Sequence, residues 1–196
     1  MQKLYEVNMI YNLIPPTDPR VLSSIAPFEE KTLKEQDNIT PKEFSDNMFE
    51  SMKKYGGIGL SANQVGKPYR MFVMGDHPSI EEGKKRSCYN PNILKVSKET
   101  IRYKEGCLTF PFLFLDIERP QNVVVEYYDE EMKRVEETLT GLPSRIFQHE
   151  FDHMQGIVFT EKVSKFKLDY ALNKRNKELK RMQRQWQRMK KQPTNK

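Results

Sequence analysis

Two histidines four positions apart, with a glutamate directly after the first, are the residues of this sequence best placed to do chemistry. They are His149, Glu150 and His153. In a helix, side chains four positions apart share one face, so both imidazoles can bind one metal ion. Glu150 can then reach a water molecule on that ion and act as a general base. The spacing therefore predicts a hydrolytic metal centre on a helix.

A third ligand is needed, because catalytic metal sites usually have three protein ligands and one open position. A histidine six residues after the second, as in metzincins, is excluded because that position is Phe159. Glu161 and Glu178 are available as the acidic ligand of a zincin-like peptidase. Cys107 is the stronger candidate, since Gly106 before it lets the backbone approach closely. The alternative for this cysteine is a buried, inert thiol.

The elements that must position these residues run from helix to strands to helix. Residues 1–39 carry four prolines and are predicted to be irregular. The first helix begins at Thr40, which forms a capping box with Glu43. A second predicted helix, from about Leu142 to Gln155, carries the two histidines. Strands are predicted between the two helices, at Arg70–Met74, Ile93–Val96, Asn122–Tyr128 and Val135–Leu139. This order predicts an α+β fold with an antiparallel sheet around the metal-binding helix.

Composition limits the classes of protein that this chain can belong to. It contains no run of about 18 apolar residues, so we predict no membrane span. It begins without a basic stretch followed by an apolar segment, so we predict no secretory signal. Two cysteines, Cys88 and Cys107, fit a reducing compartment. We therefore expect a cytoplasmic protein.

Charge is divided unevenly along the chain. Residues 164–196 carry 12 Lys and Arg against 2 Asp and Glu, whereas the other 163 residues carry 21 against 25. We therefore expect a catalytic domain over 1–163 and a basic helical extension over 164–196. An apolar seam interrupted by Arg175 runs along this helix: Leu168, Leu172, Leu179, Met182, Trp186 and Met189. The seam can pack on the body or form a coiled coil, and the basic face can contact RNA or a membrane surface.

Three segments resemble the motifs of the peptide deformylase family, in the family's order. Gly57–Gln64 resembles G-φ-G-φ-A-A-x-Q, with Ser61 in place of the first Ala. Glu105–Thr109 resembles E-G-C-L-S, with Thr109 in place of Ser. Gln148–His153 resembles Q-H-E-x-D-H. The resemblance implies a peptide deformylase-like fold and hydrolysis of the N-formyl group from N-formylmethionyl nascent polypeptides, with release of formate.

The resemblance also implies a metal and its ligands. One divalent ion per chain, Fe²⁺ or in its place Zn²⁺, Ni²⁺ or Co²⁺, is expected on Cys107, His149 and His153. A metal-bound thiol is deprotonated, which disfavours the inert-thiol interpretation of Cys107.

The same resemblance assigns catalytic roles to three further residues. Glu150 takes a proton from water and delivers it to the leaving amine. The side chain of Gln64 and the backbone N–H of Leu108 donate hydrogen bonds to the developing oxyanion. Without the resemblance, Gln64 is an ordinary polar loop residue.

The methionine side chain of a substrate needs an apolar slot. Ile58 beside Gly59, and Ile146 one turn before the first histidine, are candidate walls, although both isoleucines can equally be core residues. We expect the peptide backbone to extend along residues 57–60 by strand addition.

The sequence departs from many bacterial relatives seven residues after the cysteine. Those relatives have an arginine that contacts the peptide, whereas this chain has Phe114. Arg119 is not expected to replace it. Phe114 belongs to the apolar run Phe110–Leu115, whose exposed part is a candidate hydrophobic lip.

By the same resemblance, the partner of the basic helix is ribosomal RNA. Two other functions stay open beside the deformylase: a zincin-like metallopeptidase, and an inactive deformylase scaffold that binds ribosome or RNA.

Overall fold

The computed structural model describes residues 9–191. The helices are α1 Glu30–Asp37, α2 Pro41–Lys54, α3 Gly141–Met154 and α4 Lys165–Lys191. The strands are β1 Gly59–Ser61, β2 Met71–Gly75, β3 Lys85–Val96, β4 Thr100–Cys107, β5 Phe110–Pro120, β6 Asn122–Tyr128 and β7 Arg134–Thr140.

A five-stranded antiparallel sheet forms the centre of the molecule, in the order β1-β2-β3-β6-β7. Alternate residues of β2 face opposite sides, as the period of two requires. Met71 and Val73 belong to the core shared with α2, and Phe72 and Met74 to the core shared with α3. The sheet thus lies between two helices, and the predicted α+β class is confirmed.

Strands β4 and β5 form a separate two-stranded hairpin. Alternate residues of β5, Leu113, Leu115 and Ile117, are buried against Phe159. Helix α3 contacts the main sheet with its apolar side, through Phe147. Its polar side faces the hairpin, so α3 is the element that joins the two sheets.

The predicted first helix is confirmed in detail. The Thr40 hydroxyl accepts from Glu43 N–H, and the Glu43 carboxylate accepts from Thr40 N–H at 2.7 Å. The prediction that 1–39 is irregular was wrong at α1, an eight-residue helix with one buried residue, Leu33. One apolar anchor creates no helical periodicity, which explains the miss. Residues 1–8 lie outside the described part of the chain.

The basic helix α4 has two unlike halves. Leu168 and Leu172 pack on the β5 cluster, together with Ala171. Farther along, Met182 and Trp186 are exposed. The first turns of α4 therefore pack on the catalytic body, which is one of the two arrangements predicted for the seam. Beyond Leu179, no element within residues 9–191 covers the seam. The domain boundary at 164 stays a prediction. No helix in this range is long and apolar enough to cross a membrane.

We expect the two halves of the seam to contribute unequally to stability. Leu172→Ala should lower the free energy of unfolding by about 1–2 kcal/mol, because it opens a half-buried contact with the β5 cluster. The matched change Met182→Ala should stay within about 0.5 kcal/mol, because Met182 is exposed and alanine favours helix. Urea unfolding followed by circular dichroism measures both. Equal losses would contradict the packing of the first half.

Candidate metal centre

One thiol and two imidazoles meet where α3 faces the hairpin. The ligand atoms of Cys107, His149 and His153 all lie within 4.8 Å of one another, and Cys107 Sγ is 3.4 Å from His153 Nε2. Metal–ligand bonds of about 2.0–2.3 Å in a tetrahedral site separate neighbouring donors by about 3.5 Å. The donor set therefore fits one ion with a fourth position left open. Within the described residues, His153 Nδ1 and Glu150 Oε2 are buried without a hydrogen-bond partner, so the cluster also has unused polar atoms.

Electrostatics in the cluster favour the metal-binding form of the thiol. Burial opposes ionisation of Cys107, yet the adjacent His153 and His149 hold the pKa of this thiol well below its ordinary value. Burial also lowers the pKa of His149, but hydrogen bonds to Cys107 and Glu105 raise that pKa to about 10. These contacts favour the thiolate, which is the form in which cysteine binds a metal.

Glu150 lies beside the cluster, in space that Gly59 leaves open. A Cβ added at Gly59 would lie 2.5 Å from Glu150 Oε1 and 2.9 Å from Ile146 Cγ2. Glycine is therefore needed at this position because the carboxylate approaches the backbone of β1 closely. Burial raises the pKa of Glu150, although the adjacent His149 and His153 oppose this.

Gln64 faces the cluster with its amide N–H₂ group. Its Nε2 donates to Thr109 Oγ1 at 2.8 Å and to Cys107 Sγ at 3.2 Å. Its Oε1 accepts from both the N–H and the hydroxyl of Ser61, each at 2.9 Å. Ser61, the residue that departs from the family motif, thus adds a hydrogen bond that fixes which end of the amide points toward Cys107.

A pocket of about 710 Å³ opens over the cluster. Its lining includes Ile58, Gly59 and Ile146, the three predicted substrate-binding residues. Gln64, Leu108 and Glu150 also line it, so the structure brings the predicted catalytic residues to the same pocket. Their roles stay predictions, as do those of the three metal ligands.

A buried ion network supports His149 from behind. The Glu105 carboxylate accepts from Arg119 Nε at 2.7 Å and from Arg145 Nη1 at 2.7 Å, and lies 2.9 Å from His149 Nδ1. Arg119 also donates to Asp152 Oδ2 at 2.6 Å. A carboxylate on Nδ1 leaves Nε2 of His149 for the metal and fixes the ring orientation. These charges lower the pKa of Glu105, although its burial opposes this.

Sequence reasoning missed this network. Metal-bound histidines usually donate their second ring N–H to a carboxylate or carbonyl oxygen. Glu105, two residues before Cys107, could have been predicted as that acceptor from this rule. Arg119 is committed to Glu105 and Asp152, which agrees with the expectation that it does not replace the missing peptide-binding arginine. Glu161 is exposed and outside the cluster, so nothing in the described residues favours it as a ligand.

An α+β fold that carries one thiol and two imidazoles beside a buried glutamate defines a class of proteins with a candidate metal centre. The family model for polypeptide deformylases matches residues 18–169. Since this match covers most of the 196 residues, the chain belongs to the polypeptide deformylase family. The family and the fold predicted from the sequence are confirmed.

Individual relatives agree with this assignment. Peptide deformylase 1B of the chloroplast of Solanum lycopersicum is 42% identical over 128 residues, which are 65% of this chain and 46% of that protein. The peptide deformylase of Flavobacterium psychrophilum is 37% identical over 151 residues, which are 71% of this chain and 78% of that protein. The crystal structure of the Ehrlichia chaffeensis peptide deformylase in complex with actinonin has a TM-score of 0.74 at 34% identity, covering 87% of this chain and 98% of that one. The chain spans about half the length of the chloroplast relatives it matches.

The two cysteines provide a matched test of the metal centre. Cys107→Ala should weaken metal binding by at least about 100-fold, because even changes behind a ligand typically cost 10- to 100-fold. Cys88→Ala should keep the metal, because Cys88 is buried in the apolar core on the other side of α3. Metal content and the thiolate charge-transfer band of the Co²⁺-loaded proteins are the measurements. A band that persists in Cys107→Ala would remove Cys107 from the ligand set.

Proposed function

We propose that this chain removes the formyl group from N-formylmethionyl peptides by metal-dependent hydrolysis, releasing formate. The observation that carries the proposal is the convergence of Cys107, His149 and His153 beside the buried Glu150, in a chain of the polypeptide deformylase family. A pocket with apolar walls opens directly over these groups, as a peptide amide substrate requires.

The proposed cofactor is one Fe²⁺ ion per chain, held by the thiolate of Cys107 and the imidazoles of His149 and His153. Iron is proposed from the family resemblance. A set of one sulfur and two nitrogen donors also suits Zn²⁺, Ni²⁺ or Co²⁺. A bound ion supplies a Lewis acid that lowers the pKa of water toward neutrality.

Three groups of the chain carry the reaction in this proposal. Glu150 takes the proton of the attacking water and gives it to the leaving amine, so one carboxylate serves both half-steps. The Gln64 Nε2–H and the Leu108 N–H donate to the oxygen on which negative charge develops. Support comes from the orientation of the Gln64 amide, which Ser61 holds with N–H₂ toward Cys107.

The substrate enters this scheme as an extended peptide. Its methionine side chain contacts Ile58 and Ile146, which line the pocket together with Gly59. The strand β1 is the edge of the five-stranded sheet and pairs only with β2 among the described strands. Its outer edge can therefore pair with the backbone of an extended peptide. Backbone pairing of this kind accepts many sequences after the methionine.

Two other functions have less support. A zincin-like peptidase needs an acidic third ligand, whereas the cluster within residues 9–191 contains Cys107. An inactive scaffold would not need Glu150 buried against Gly59 with a free oxygen atom. The proposed compartment is the cytoplasm, where the sequence placed the protein, or an organelle, since several curated plant relatives are chloroplast proteins.

The decisive experiment is formate release from formyl-Met-Ala-Ser by anaerobically purified protein. We expect Glu150→Gln to keep its metal and to lose about 10²- to 10⁴-fold in kcat, because the proton carrier is removed and the ligands are not. Glu161→Gln is the matched control and should retain both its metal and its kcat. Near-normal turnover in Glu150→Gln would contradict the assigned role. Loss of metal in Glu161→Gln would favour the zincin-like alternative.

We further propose that the outer half of α4 binds ribosomal RNA. Lys177, Arg181, Arg184 and Arg188 follow each other at intervals of four, three and four, so they form one stripe along the helix. These side chains lie together on one surface. A stripe of cations on a mildly acidic catalytic body is the electrostatic pattern of a nucleic-acid contact.

Replacing the four stripe residues by glutamine tests this contact without removing the packed half of α4. We expect cosedimentation with ribosomes to fall, and its dependence on salt to become shallower by roughly 0.7–0.9 in log–log slope for each lost phosphate contact. Formate release from formyl-Met-Ala-Ser should stay unchanged. Replacing Met182, Trp186 and Met189 by glutamine is the control for an apolar contact. Equal cosedimentation of the stripe variant and the wild type would refute the ribosome role.

A further inference from the structure

The hairpin that carries Cys107 is irregular next to this residue. Gly106 pairs with Phe114, but the following residue, Cys107, pairs with Phe110. Pro111, Phe112 and Leu113 therefore have no partner on β4, and they form a three-residue bulge in β5. Bulges are common beside active sites because they redirect side chains.

The bulge turns its side chains in opposite directions. Leu113 is 1% exposed and anchors the bulge in the cluster beneath α4. Phe112 and Phe114, on either side of it, are 55% and 58% exposed. Phe112 has φ of +63°, a backbone conformation that a bulky side chain rarely adopts. The chain thus holds an unfavourable backbone conformation in a segment that leaves two aromatic rings exposed.

These two rings form a wall of the pocket over the metal centre. Both Phe112 and Phe114 line it. The Phe114 ring lies across the backbone of Gly106, since a Cβ at Gly106 would be 2.8 Å from Phe114 Cε1. The ring therefore abuts the residue directly before Cys107. We name Phe112 and Phe114 the aromatic lip.

The pocket is larger than one methionine needs. Its volume of about 710 Å³ is typical of sites for ligands of several residues or of drug size. The walls assigned to the methionine are Ile58 and Ile146. The aromatic lip is thus left for the residues that follow the methionine, and it offers them apolar surface where many relatives have a cation.

We propose that the aromatic lip is a specificity element that selects peptides with an apolar side chain in the second or third position. This inference rests on the proposed deformylase function. Burial of an apolar side chain against two half-exposed rings favours binding, whereas a polar side chain of equal size loses hydration there without gaining a partner. A half-open surface should discriminate by roughly three- to tenfold.

Leucine and asparagine are similar in size and differ in polarity, so they make a matched pair of substrates. The measurement is kcat/KM for formyl-Met-Leu-Ser against formyl-Met-Asn-Ser, and for formyl-Met-Ala-Leu against formyl-Met-Ala-Asn. We expect the wild type to prefer leucine by about three- to tenfold at one of the two positions. Phe114→Ala and Phe112→Ala should reduce this ratio below about twofold, and Phe114→Leu should restore it.

Phe166→Ala is the control, because Phe166 is an exposed phenylalanine on α4 outside the pocket, and its ratio should equal that of the wild type. Calorimetric binding of Met-Leu-Ser, Met-Asn-Ser and the two third-position peptides, all unformylated, gives the same comparison without turnover. Leucine-to-asparagine ratios that are equal in wild type and Phe114→Ala, in both assays, would overturn the proposed role of the aromatic lip. A wild type that releases no formate from any peptide would contradict the deformylase function. The binding ratios of the unformylated peptides would then test the aromatic lip by themselves.

Discussion

The buried carboxylate of Glu105, on the β4–β5 hairpin, binds Arg145 and His149 of α3. The hairpin belongs to a separate sheet, so these contacts across the interface determine where Cys107 lies relative to the two histidines. A buried ion pair is expensive to desolvate, and removing one partner is strongly destabilising because it leaves an unpaired buried charge. Here Arg119, Arg145 and Lys162 oppose the carboxylates of Glu105 and Asp152, so both carboxylates have cationic partners.

Helix α3 contacts the main sheet on one side and the hairpin on the other, because its periodicity places apolar residues on one face and polar residues on the opposite face. Phe147 and Met154 pack on the sheet, while His149, His153 and Asp152 face the hairpin. The apolar side gives the helix a fixed position, and the polar side uses that position for the cluster. This division lets α3 present both histidines of the candidate metal centre while its apolar side stays attached to the core.

Much of this arrangement follows from local sequence patterns. The spacing of His149 and His153 indicates a shared helical face, and the capping box at Thr40 marks a helix start, because both depend on neighbours within four residues. The meeting of Cys107 with α3 depends on tertiary packing across 42 positions, and the family resemblance rather than local spacing predicted it. Helix α1, with Leu33 as its single anchor, and the network around Glu105 were missed because neither has a periodic signal.

The three proposed ligands come from the β4–β5 hairpin and from α3, so a metal ion bound to them would act as a cross-link between the two elements. Thermodynamic linkage then runs in both directions. A bound ion would stabilise the docked hairpin by mass action, and a change that populates the undocked hairpin would weaken metal affinity in proportion to the fraction that remains docked. Metal retention would therefore depend on the whole interface around Glu105 and Arg119, as well as on the three donor atoms.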